Sequence, residues 1–173
     1  MDERTIMLVL RLIHIVSGVF WVGAFLLMVG FLFPAVRATG PEGGRVIQEV
    51  MQRRRLPVYL GVAAGLTILS GFVMYARVAA ATNGAWAETR PGMTYGLGGL
   101  AAILAVIIGA VVAGPAGRKL GRLAERVQAS GGPPSAEQAS QMAALQVRMG
   151  RGMQAVAFLL LVAVVAMAIA RYL

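Results

Sequence analysis

Residues 6–33 read IMLVLRLIHIVSGVFWVGAFLLMVGFLF, an apolar run in which Arg11 and His14 are the only ionisable side chains. The hydrocarbon core of a bilayer, about 30 Å thick, is crossed by about 20 helical residues. This run is long enough, and three others follow at about Leu56 to Ala80, Thr94 to Gly114 and Met153 to Ala170. Hydrophobic residues make up 58% of the 173, charged ones 13%, and mean hydropathy is +0.75, beyond the apolar share of about 45–50% usual in soluble domains. The sequence predicts an all-α membrane protein: one domain over residues 1–173, a four-transmembrane-helix up-and-down bundle. The first run is expected to stay as a helix, since its leading residues Met1 to Arg4 are not net basic and it exceeds the apolar core of a signal peptide. The chain has no cysteine, which excludes disulfides, thiolate metal sites, iron–sulfur ligation and covalent c-type haem.

Net charge is +9, and its placement gives it meaning. Eleven of the sixteen basic residues lie in two connections: Arg37, Arg45 and Arg53 to Arg55 after the first span, and Arg118, Lys119, Arg122, Arg126, Arg148 and Arg151 after the third. The positive-inside rule then puts both connections in the cytoplasm of a bacterial-type plasma membrane and both termini outside. A basic face of this kind is read as contact with anionic lipid, not with nucleic acid.

Residues 37–55 and 115–152 are expected to be helical extensions of the spans. Thr39 and Glu42 have capping-box spacing, as do Ser135 and Gln138. Residues 45–55 are expected to run on into span two with a kink at Pro57, and span three to meet Gly114-Pro115 and resume. Ser130 to Pro134, SGGPP, is a breaker. Met142, Leu145, Met149 and Met153 recur at helical spacing and are expected to pack on the neighbouring extension. Gly61 and Gly65, and Ser17 with Gly18, mark candidate close helix approaches. Gly96, Gly98 and Gly99 are read as a helix crossing.

Arg11, His14, Gly18, Trp21 and Phe25 fall on one helical stripe, and His14 is the only histidine. It lies about 12 Å along the helix from Ile6. An ionisable group at that depth is a functional candidate. Its imidazole can donate one hydrogen bond and offer the other nitrogen to a metal, haem iron included. Arg11, one turn nearer the surface, is placed to pair with a propionate, and Trp21 and Gly18 complete a candidate cofactor wall. The alternative is an imidazole satisfied by a helix carbonyl. Arg77, Arg90, Arg171, Tyr75, Tyr95, Tyr172 and Trp86 are expected to form an interfacial belt.

Leu12 to Gly23 resembles the first-helix motif, roughly L-H-x-x-x-G-x-x-W-x-G, of several small membrane groups. These are the HemJ-type protoporphyrinogen oxidases, the copper-resistance protein D family, the membrane part of cytochrome-linked urate oxidases, and an uncharacterised four-helix family. Met51 to Pro57 and Gly65 to Gly71 are similar to their second helix, and Met167 to Leu173 to the ending of the uncharacterised family. The resemblance to the HemJ-type enzymes implies haem binding by His14. Their partner lysine at the start of the third helix has no counterpart in Tyr95 to Gly99.

Two functions stay open. One is a redox-linked protein holding haem b through His14, in exchange with quinone or a partner complex. The other is a cofactor-free accessory subunit, a homodimer or part of a larger respiratory or photosynthetic membrane complex. Copper transport or resistance stands third.

Overall fold

The structure, a computed structural model, describes residues 2–173, with the side chains of Pro41 and Glu42 outside that description. Four helices are long and apolar enough to cross a membrane: α1 (Glu3–Ala38), α3 (Leu56–Ala81), α4 (Arg90–Ala129) and α5 (Ala136–Tyr172). A short helix, α2 (Pro41–Gln48), links the first pair. No strand occurs among the described residues. The protein is an all-α four-helix bundle and an integral membrane protein.

Local chemistry sets the helix ends. Asp2 caps α1 through Thr5 N–H at 3.0 Å, and the Thr5 hydrogen bonds hold its carboxyl below the usual carboxylate value. The Ser135–Gln138 capping box opens α5 as expected, after a turn in which Gly131 takes φ +69°.

Thr39 does not cap α2. Gly40 makes the turn at φ +62°, and the Thr39 hydroxyl bonds back to Ala35 O and Val36 O. Helix α2 therefore starts at Pro41, one residue later than the Thr39–Glu42 spacing suggested. Pro57 does not kink a continuous helix either. Arg55 is left-handed (φ 52°, ψ 33°), and α3 begins at Leu56 with Pro57 in its first turn, where the missing N–H has no partner to lose.

Pro34 and Pro115 sit inside continuous helices for a different reason. Each is the second residue after a wide π-type turn, Met28–Leu32 and Gly109–Ala113. Phe33 N–H reaches back to Met28 O, and Gly114 N–H to Gly109 O. A proline ring in a regular helix collides with the carbonyl four residues earlier; the extra residue in the preceding turn moves that carbonyl aside.

Packing is uneven around the bundle. Helix α1 lies along α3 and α4 along α5, whereas the α3–α4 and α1–α5 seams are thin. The principal apolar core joins all four helices in the half nearer the basic connections: Trp21 and Met28, Leu60, Ala63 and Ala64, Ala105 and Ala113, Met153, Val156 and Leu160. Most buried apolar residues are alanine, as expected where helices in lipid associate by close backbone approach. The large apolar residues Val16, Val19, Leu69, Phe72, Leu97 and Phe158 face outward.

The expectation at Gly18 holds, and that for the Gly96, Gly98 and Gly99 cluster holds at Gly98 but not at Gly99, where a Cβ would meet nothing within 4 Å among the described residues. Gly18 faces the Thr67 methyl, and Gly98 meets Ala166, Met167 and the Ala163 carbonyl. Gly61 and Gly65 do not mark a contact within the chain, since nothing lies within 4 Å of where a Cβ would stand on either. The methionine stripe packs as expected, with Met149 Sδ against Gly117 of α4 and Met153 buried.

Candidate functional site

The α1/α3 pair holds a small polar cluster on the terminal side of the apolar core. His14 Nδ1 lies 2.7 Å from Thr67 O. A carbonyl accepts, so Nδ1 carries the proton, and the neutral tautomer leaves Nε2 with a lone pair. Ser70 Oγ is 3.5 Å from the same Nδ1. Ser17 Oγ lies 2.6 Å from Ile13 O and 2.8 Å from Thr67 Oγ1, and Thr67 Oγ1 lies 2.8 Å from Ala63 O, so the two hydroxyl protons serve two of these three contacts at a time. Ser17, Thr67 and Ser70 are buried and His14 is half-buried. Among the described residues no enclosed side-chain nitrogen or oxygen lacks a partner.

Gly71 makes the close approach possible. A Cβ there would stand 2.7 Å from His14 Cε1 and 3.0 Å from Nδ1, so the imidazole rests on bare backbone. The chain meets this need four residues after Thr67, on the same face of α3.

The stripe read from the sequence divides in space. Arg11 is exposed and half-buried His14 is one turn deeper. Gly18 points at Thr67 and lines the helix contact. Trp21 is 3% exposed within the apolar core. Seven residues set it about 10 Å deeper than His14 along α1. The structure thus brings His14 together with Thr67, Ser70 and Gly71, and leaves Trp21 a turn or more below them.

Sequence reasoning missed Thr67, Ser70 and Gly71. The signal was the hydroxyl pair at spacing three inside an apolar span, followed directly by glycine, but Thr67 offers His14 its backbone oxygen, which no residue type announces.

The terminal end holds two further groups. Glu3 and Arg77 pair at 2.6–2.7 Å, tying α1 to α3 where the sequence suggested only an interfacial arginine. Trp86, in the short turn Ala85–Glu88, meets Tyr75 edge-on with centroids 5.1 Å apart and stacks on Tyr95 at 6.0 Å. Among the described residues no group of three or more His, Cys, Asp or Glu could hold a metal ion. Comparison of the chain with protein-family models, curated proteins and solved structures returned no match.

Proposed function

We propose that this integral membrane protein binds haem b through His14 and is redox-linked. The observation carrying the proposal is the hydrogen bond from His14 Nδ1 to Thr67 O. A histidine that ligates a metal characteristically donates its other ring N–H to a carbonyl or carboxylate, which fixes the tautomer and aims the free nitrogen. Haem would suit this donor set better than a bare ion, since His14 is the only histidine and would hold it as one ligand, any second coming from a methionine, another weaker ligand or a second chain. A bare metal ion needs several ligands, and the described residues hold no group of three or more histidine, cysteine, aspartate or glutamate side chains that could supply them. When bound, haem supplies one-electron chemistry. Thr67 and Gly71 orient the imidazole, Ser70 lies 3.5 Å from Nδ1, and exposed Arg11 would offer a propionate its guanidinium. The first-helix resemblance to the HemJ-type group supports the same assignment. Within this reading the basic connections are cytoplasmic, and the electron partner is quinone or another membrane complex.

The second reading is a cofactor-free subunit, the alternative in which a helix carbonyl satisfies the imidazole, and the same bond from His14 Nδ1 to Thr67 O favours it. Ser17, Thr67, Ser70 and His14 already satisfy one another across α1 and α3, as interhelical polar side chains do in scaffolds.

Absorbance of protein purified from haem-supplied cells separates the two. The haem reading expects a Soret band that disappears in His14→Ala, with helical content unchanged by circular dichroism, and weaker haem retention in Arg11→Ala. Colourless wild-type protein that copurifies with a membrane complex overturns it and leaves the scaffold.

A further inference from the structure

An open groove of about 600 Å³ lies at the basic end of the bundle, lined by Val112 of α4 and by Ala143, Ala144, Val147, Arg148 and Arg151 of α5. Arg148 and Arg151 are exposed, and neither has an ion-pair partner among the described residues. Their depth is informative. Arg151 stands two residues before the start of the fourth apolar run at Met153, and Arg148 five, so at 1.5 Å per residue they lie about 3 and 7 Å beyond the hydrocarbon. The headgroup layer adds about 5–7 Å to each side of that hydrocarbon. Their backbone positions therefore fall within the headgroup layer, Arg151 near its inner edge and Arg148 near its outer edge. Val112 and the exposed Val111 continue from the groove into the apolar layer. Val147, Ala144 and Ala143 carry the groove outward with short side chains that leave the phosphate position open to the arginines. A third arginine is near: Arg37 Nη2 lies 3.4 Å from where a Cβ of Gly150 would stand.

From this placement we infer that the groove is a binding site for one anionic phospholipid of the surrounding bilayer, its phosphate between Arg148 and Arg151 and its chains descending past Val112. Charge and depth both select it. A zwitterionic headgroup would bring an ammonium to the same arginines, and a soluble acidic partner would have no use for the apolar wall below the phosphate level. Basic pockets between helix ends hold acidic lipids by this combination of a charged rim and an apolar flank.

The test uses the full chain in phosphatidylcholine nanodiscs doped with phosphatidylglycerol, with retained lipid counted by native mass spectrometry after transfer to mild detergent. Wild type should keep phosphatidylglycerol in preference to phosphatidylcholine. The double variant Arg148→Gln/Arg151→Gln should bind it roughly thirty-fold more weakly, at about fivefold per interfacial arginine. Arg122→Gln/Arg126→Gln removes the same charge from the same end and should stay close to wild type. Equal loss in the two arginine pairs, or no preference for the acidic lipid in wild type, overturns the assignment.

Discussion

The imidazole of His14 is held from two sides, by a hydrogen bond at Thr67 O and by the bare backbone of Gly71. Gly71→Ala puts a methyl 2.7 Å from Cε1, and because Nδ1 is anchored the ring cannot give way freely. The expected loss is about 1–3 kcal/mol, the usual range for overpacking, read as a lower melting temperature in detergent. The only histidine in the chain gives a single pair of ring ¹⁵N signals, and the same substitution should shift them as the Thr67 bond lengthens. Unchanged signals would mean that the ring does not rest on Gly71. Thr67→Val keeps the carbonyl and removes the hydroxyl bond to Ser17, so the expected loss is smaller, about 0.6 kcal/mol. At this scale the sequence exposed the histidine and concealed its partners. An ionisable residue in an apolar run stands out by composition, whereas a backbone acceptor 53 positions away has no signature of its own.

Among whole helices, length and hydropathy made the four spans legible, since a segment without water must satisfy its backbone internally. What remained hidden were the places where one residue changes the local path. The wide turns before Pro34 and Pro115 let a helix pass through a proline that reads as a stop. Glycine spacing was equally ambiguous, because a small residue permits a close approach without saying which helix makes it. Gly61 and Gly98 separate the two cases. Gly98→Ala meets Ala166 Cβ at 3.1 Å and the Ala163 carbonyl at 3.3 Å; the carbonyl is backbone, so α4 and α5 must part and about 1–3 kcal/mol is lost. Gly61→Ala meets nothing and should be neutral or raise stability by up to about 1 kcal/mol through helix propensity. Paired melting curves in one detergent decide this, and a destabilised Gly61→Ala would show that α3 has a partner on that face.

The assembly as a whole is two helix pairs, α1 with α3 and α4 with α5, meeting along thin seams. Hydropathy cannot reveal this, because a helix in lipid is apolar on every side and its pattern does not rank its neighbours. Trp86 bridges the pairs at the terminal end through Tyr75 of α3 and Tyr95 of α4. Trp86→Ala removes two aromatic contacts of about 0.5–1.5 kcal/mol each. It should widen the distance between spin labels on α3 and α4 at that end while leaving the α4–α5 distance unchanged; equal widening of both would contradict the division into pairs.

Thin seams of this kind also govern how the polypeptide can reach its final form. Each hairpin makes its own close contacts along its length, so the first can enter the bilayer and close before the second is made, and the core shared by all four helices forms when the two dock. Separately expressed halves cut between Thr82 and Glu88 should find one another in the membrane, with the core shared by the four helices deciding how firmly they dock.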